Sequence, residues 1–202
     1  FLVDTTYQLN GKKIAYLVYN EFSTGPNNDG LETVYQEQMK QIFTNFKEQL
    51  PDAFILDLRY NNGGFLSCAQ DLGSFLAPTS ALGKDFIHLT RNDLTDPQTI
   101  SYPLNTSFSD ANLNLNKIYI LTGPLTASSS EAVINGLTPY MGKENVYISF
   151  SGGKDSTVLL HLVRSLFPDI PTVFSNTGLE FPELVEFAQR ESIEFDAEEV
   201  KG

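Results

Sequence analysis

Apolar and polar positions sort the chain into segments of two periods. KIAYLVYN at 13–20 is an apolar run rich in β-formers and predicts a buried strand. The Gly, Pro, Asn and Asp content of the following STGPNNDG predicts a loop. Leu31, Val34, Tyr35, Met39, Ile42, Phe43 and Phe46 then recur at helical spacing, which predicts a helix to about Gln49, stopped by Pro51. AFILDLRY at 53–60 is apolar on both faces up to Asp57, as a central parallel strand requires. Beyond the NNGG turn, Leu66–Leu76 predicts a second helix ending ahead of Pro78. Residues 79–116 mix short β-like pieces, FIHL and TISY, with polar linkers, and predict an insertion or a β-hairpin.

The alternation then resumes. Lys117–Thr122 predicts a strand, Ala127–Tyr140 a helix, 145–150 (NVYISF) a strand, Ser156–Phe167 a helix, 171–176 (PTVFSN) a strand and Pro182–Arg190 a helix. Strands alternating with helices indicate an α/β fold around a mostly parallel sheet. In this reading the strands at 13–20, 53–60, 117–122 and 146–150 share one layered unit.

Composition narrows the class without changing that picture. The chain has 202 residues, 41% hydrophobic and 19% charged, with 14 Gly and 10 Pro, which suits a globular protein. No apolar run reaches the roughly 18 residues of a membrane span, and the opening FLVDTTYQLNGKK does not read as a signal peptide. A net charge of −12 opposes nonspecific binding to nucleic acid. Residues 146–202 carry −6 of it, much of that in ESIEFDAEEVKG at 191–202, which predicts a solvated helix face or a frayed end. Cys68, the single cysteine, excludes an internal disulfide and a Cys-rich zinc site, and reads as a small buried residue. His88 and His161 have no ligand companions at a telling spacing, so no metal site is expected; His161 is assigned a packing or surface role.

Three motifs lie at the ends of predicted strands, where open α/β sheets place their sites. Asp57-Leu-Arg-Tyr-Asn-Asn-Gly-Gly64 ends a buried strand in two glycines, which permits either a tight turn or a set of backbone N–H groups aimed at an oxyanion. Thr126-Ala-Ser-Ser-Ser-Glu131 leads from a strand into a helix, where hydroxyls cap the helix or one of them serves as a nucleophile. VYISFSGGKDSTVLLHLV at 146–163 reads strand, Gly-rich loop, helix, an arrangement that cradles an anionic phosphate.

The pair DLRxNxGG and TASxSE resembles the C-terminal-processing (tail-specific) serine peptidase family, over about residues 1–148. The resemblance implies a layered α/β fold of the ClpP/crotonase-like type, with Ser128 as nucleophile. It also implies an oxyanion hole made by the amides of Gly63, Gly64 and Ser129, and an unstructured polypeptide as substrate. That family uses a lysine as general base, about two dozen residues beyond the serine. Lys154 falls 26 residues after Ser128, but within Ser-Phe-Ser-Gly-Gly-Lys-Asp-Ser rather than the family's Gly-Glu-x-Thr-x-Gly-Lys, and Val158 replaces its glutamine. Little peptidase activity is therefore expected of this chain.

The string SGGKDS resembles the PP-loop of ATP pyrophosphatases, and VFSNTGLEFPELVEF is similar to the phosphoadenylylsulfate (PAPS) reductase branch of that superfamily. By that resemblance Ser151, Gly152, Gly153, Lys154, Asp155 and Ser156 hold phosphates, and Asn176, Thr177 and Gly178 line ATP or a related nucleotide. The chain thus divides into an incomplete peptidase-like core at 1–145 and an incomplete PP-loop β-α-β-α segment at 146–202, meeting near 146–150. Peptidases of the first kind are periplasmic or extracellular, whereas PP-loop enzymes are cytoplasmic. A serine peptidase, a phosphate- or nucleotide-binding module and a non-catalytic chimera all remain open at this point.

Overall fold

Asn10 and Gly11 both take positive φ, 49° and 76°, the backbone of a tight two-residue hairpin turn. They join β1 (Leu2–Leu9) to β2 (Lys12–Tyr19) in an antiparallel pair running from Leu9↔Lys12 to Leu2↔Tyr19. Sequence patterning places no strand before Lys13, because an edge strand needs no apolar run and β1 is rich in polar residues. The Asn-Gly pair was the available signal. The computed structural model describes residues 2–27, 29–90, 99–141, 148–150, 157–158, 160–161, 164–165, 168–169, 171–175, 181–190 and 194–196.

β3 (Ala53–Asp57) lies parallel to β2, and β6 (Tyr119–Leu121) lies parallel to β3, giving the sheet order β1-β2-β3-β6. Three helices accompany this sheet: α1 (Val34–Gln49), α2 (Leu66–Leu76) and α3 (Ser129–Met141). The 79–116 insertion holds the antiparallel hairpin β4 (Asp85–Thr90) and β5 (Thr99–Pro103). Phe86 of β4 docks where α2 and α3 both present glycine: a Cβ on Gly73 or Gly136 would lie 2.6 or 2.3 Å from its ring.

The core is built on aromatic rings. Phe43 stacks on Phe75 at 4.7 Å and on Phe54 at 5.7 Å, with Phe46 edge-on to Phe54 at 5.6 Å, so α1, α2 and β3 share one apolar centre. This cluster takes its members from Ala15 to Met141.

The residues beyond it form a sheet of their own. β7 (Ile148–Phe150), β8 (Thr172–Ser175) and β9 (Glu194–Asp196) run parallel in that order, with α4 (Pro182–Arg190) between β8 and β9. This corrects two expectations. The strand expected at 146–150 pairs with β8 rather than joining the first sheet, because a parallel partner of matching apolar character follows it in the chain. Residues 194–196, expected in a solvated helix face or frayed end, instead pair with β8 through backbone hydrogen bonds, which are indifferent to side-chain charge. The helix expected at Ser156–Phe167 is present at 157–158, 160–161 and 164–165.

Candidate active site

Asn61 organises the region where β2, β3 and β6 end. Its side chain, wholly buried, donates from Nδ2 to the Tyr19 carbonyl at 2.7 Å and accepts the Gly63 N–H on Oδ1 at 2.9 Å. Its own carbonyl accepts the Ala127 N–H at 3.2 Å and the Ser130 hydroxyl at 3.1 Å. One residue therefore ties the end of β2, the glycine turn and the start of α3.

Both glycines of the turn are required by geometry. Gly63 has φ 105° and Gly64 φ 138°, values that side chains resist. A Cβ on Gly64 would lie 2.2 Å from the Phe22 carbonyl oxygen, and one on Gly63 would lie 2.6 Å from Ser128 Cβ. Phe22 anchors the turn from outside, donating its N–H to Gly63 O at 3.0 Å and accepting from Phe65 N–H at 2.7 Å.

From the other side comes the α3 N-terminus. Thr126 Oγ1 donates to the Leu58 carbonyl at 2.7 Å and accepts the Gly123 N–H at 2.9 Å, fixing the approach to the helix. Ser128 then takes a left-handed φ of 56°, rare for a residue with a side chain, and its N–H donates to Glu131 Oε2 at 2.8 Å. That bond is the reciprocal half of a capping box, with the glutamate at the third helical position.

The three consecutive serines have different fates. Ser129 and Ser130 are buried and donate their hydroxyls to Gly64 O at 2.7 Å and Asn61 O at 3.1 Å. Ser128 is exposed, and its hydroxyl bonds no described residue. Ser129, as first residue of α3, also has a backbone N–H with no preceding turn to accept it.

The structure thus brings Gly63, Gly64, Ser128 and Ser129 together. The Gly63 N–H, one of the three amides expected around an oxyanion, is hydrogen-bonded to Asn61 Oδ1. Lys154, and with it Ser151, Gly152, Gly153, Asp155, Ser156, Asn176, Thr177 and Gly178, lies outside the described residues.

Nearby charge is committed elsewhere. Asp57 is buried at the end of β3, where Arg59 grips it from Nε at 3.0 Å and from an NH2 nitrogen at 2.7 Å, and Tyr16 OH donates to it at 2.6 Å. Burial alone would raise its pKa; the Arg59 and Tyr16 hydrogen bonds outweigh burial and hold it below the ordinary carboxylate range. Cys68 is buried on α2, and burial, with the Asp71 charge adding, pushes its thiol up to about 11. His88 Nε2 sits 3.3 Å from Asp85 on the hairpin, and His161 is exposed. Among the described residues no three metal-ligating side chains come together.

Two family signatures together span residues 13–198. Residues 13–157 match Peptidase family S41. The chain belongs to peptidase family S41. The crystal structure of an S41-protease-type protein from Bacteroides fragilis NCTC 9343 is 35% identical, with a TM-score of 0.63 over 74% of this chain and 38% of that one. The photosystem II D1 C-terminal processing protease shares the fold at 19% identity, with a TM-score of 0.51 over 74% of this chain and 36% of that one. Residues 145–198 match the phosphoadenosine phosphosulfate reductase domain. There the phosphoadenosine 5'-phosphosulfate reductase of Xanthomonas euvesicatoria pv. vesicatoria (strain 85-10) is 45% identical over 47 residues, 23% of this chain and 20% of that protein. An uncharacterized protein of Methanocaldococcus jannaschii is 40% identical over 48 residues, 24% of this chain and 12% of that protein. The chain thus spans about an eighth to two fifths of the length of the proteins it matches. Both signatures claim residues 145–157.

Asn61 and Glu131 stand in the two motifs, but sequence reasoning gave neither a role. The Ser-x-x-Glu spacing signals the cap by itself, whereas Asn61, though the fixed asparagine of DLRxNxGG, owes its bonds to Tyr19 and Ser130 to partners distant in the chain.

Proposed function

We propose that the S41 part of this chain carries the nucleophile half of a serine-peptidase site, with Ser128 as the attacking group and an unstructured polypeptide as substrate. The supporting observation is the division of labour among the three serines: two hydroxyls are spent on the backbone of the glycine turn, and the third is exposed, on a left-handed residue, and bonds no described residue. In this reading Ser128 Oγ bonds to the substrate carbonyl carbon, and the oxyanion settles between the N–H groups of Gly64 and Ser129. The hydroxyl proton passes to a base, and the amine half of the peptide leaves with a proton. Lys154 is the base that the family resemblance supplies. It stands in a PP-loop string rather than the peptidase motif, so turnover by this chain is expected to be orders of magnitude below that of a complete site.

A fluorophosphonate probe tests the nucleophile without requiring turnover. Labelling of the intact chain, lost in Ser128→Ala and kept in the control variant Ser67→Ala, is the expected result. Labelling that survives Ser128→Ala would overturn the assignment.

The match over 145–198 supports a second activity in the same chain. Ser151–Ser156 would hold phosphate through successive backbone N–H groups, with Lys154 adding a point charge, and Asn176, Thr177 and Gly178 would border a nucleotide such as ATP. A nucleotide base needs enclosing walls, so binding is expected to be weak, salt-sensitive and indifferent to the base. Calorimetry with ATP against inorganic pyrophosphate reads this directly: equal weak affinities are expected, and no heat with either ligand would remove the reading.

A further inference from the structure

Two large apolar side chains stand in the open on the approach to Ser128. Tyr60 is 67% exposed and Leu125 55%, whereas Phe22, Leu58 and Val133 of the same region are wholly buried. A single exposed apolar side chain is ordinary and needs no explanation. Placement sets these two apart. The segments that follow β3 and β6 lie backbone against backbone. Leu58 N–H donates to Leu121 O at 2.9 Å, the Asn61 carbonyl takes the Ala127 N–H, and a Cβ on Gly123 would lie 2.9 Å from the Arg59 carbonyl oxygen. Tyr60 stands on the first segment, one residue before Asn61, and Leu125 on the second, one residue before Thr126. Both segments then run to the point where a Cβ on Gly63 would meet Ser128.

The Tyr60 ring is also held in place. The Arg59 guanidinium lies 5.9 Å from its centroid, and that guanidinium is itself fixed on buried Asp57 by bonds from Nε and Nη2. A tyrosine backed in this way offers a large contact area at little conformational cost, which is why tyrosines serve so often as binding anchors. The charge around it selects the ligand. Arg59 and Glu131 are the charged residues of 58–64 and 121–131. Arg59 is paired with Asp57 at 2.7 Å, and Glu131 accepts the Ser128 N–H. With both engaged inside the protein, the side chain that gains most by covering Tyr60 and Leu125 is an apolar one.

We infer that Tyr60 and Leu125 are specificity-determining residues that receive a large apolar side chain of the polypeptide engaged at Ser128. The inference rests on the peptidase reading for its substrate and on these two side chains for its selectivity. The test uses the full chain and dye-labelled peptides Ala-Ala-X-Ala-Ala, with X leucine, phenylalanine or serine, read by fluorescence anisotropy. The leucine and phenylalanine peptides are expected to bind about tenfold more tightly than the serine peptide. That preference should vanish in the double variant Tyr60→Ser, Leu125→Ser, with no fall in melting temperature, because both side chains are exposed. Tyr60→Phe keeps the ring and should retain the preference. So should the control Leu50→Ser, which changes an exposed leucine ahead of the opposite end of β3. Equal binding of leucine and serine peptides, a preference that survives the double variant, or one that is lost in Leu50→Ser would overturn the inference. Fluorophosphonate labelling is scored separately: labelling without preference removes the apolar contact alone, and preference without labelling removes the peptidase reading alone.

Discussion

At the scale of single residues, function rests on side chains that hold backbone rather than on those that react. Asn61 satisfies the Tyr19 carbonyl and the Gly63 N–H from one buried amide. Asn61→Ala leaves both unpaired, at about 1–3 kcal/mol each. Urea unfolding should show that loss, and fluorophosphonate labelling of Ser128 should slow with it. Asp71 offers a pH-dependent case. Burial raises its pKa against the opposing hydrogen bonds of Gln36 and Asn105. A raised folded-state pKa means the native state holds the proton more tightly, so this contribution is present below the ordinary value of about 3.9 and is lost as pH rises through the raised one. Asp71→Asn should therefore raise the melting temperature at pH 7, with the gain shrinking as pH falls toward 4. A variant less stable than wild type at both pH values would refute this. Asp71 and Cys68 were legible as residues of an apolar helix; their altered acidity was not, because it depends on what packs over them.

At the scale of elements, helices and strands follow local pattern closely where an element faces the apolar centre. Leu66–Leu76 and Pro182–Arg190 begin and end where Pro and apolar spacing place them. α1 begins three residues later than the apolar spacing from Leu31 suggests, at Val34, and Leu31 is exposed. Phe43 is the pivot of α1, wholly buried between Phe75 and Phe54. Phe43→Ala should cost about 3–5 kcal/mol, measured as a shift in urea midpoint, since the rings around it cannot close the space. The N-terminus of α3 depends on Glu131, which caps the Ser128 N–H. Glu131→Ala should cost about 0.5–2 kcal/mol by the same measurement, and Glu131→Gln, which keeps an acceptor oxygen, should cost less.

At the scale of the whole molecule, the cluster of buried side chains among the described residues takes none from the second sheet. Phe174 is buried with the second sheet and stands outside the cluster that runs from Ala15 to Met141. Contributions from sites without shared partners add independently. Phe174→Ala should therefore leave the Cys68 thiol protected, while Phe43→Ala should expose it. Reaction with a thiol reagent at pH 8 checks this; with its pKa pushed up to about 11, native Cys68 should react slowly even where reagent reaches it. Faster modification in Phe174→Ala than in wild type would mean that the two sheets unfold together.

The sequence by itself determined the α/β class, most helices, the two family signatures and the pairing of DLRYNNGG with TASSSE, because each is written in local spacing or in a contiguous string. Tertiary structure alone decided four things. It paired β7 with β8, although 145–157 carries the signatures of both families. It made a strand of charged residues 194–196, since ladder hydrogen bonds use backbone groups. It gave the hydroxyls of Ser129 and Ser130 backbone carbonyls to bond, while that of Ser128, the serine the family resemblance had singled out, bonds no described residue. It turned the Gly63 N–H toward Asn61 and set Tyr60 and Leu125, both exposed, on neighbouring segments that lead to Ser128. Each of these depends on groups brought together from distant parts of the chain, and pattern along the chain carries no record of such distances.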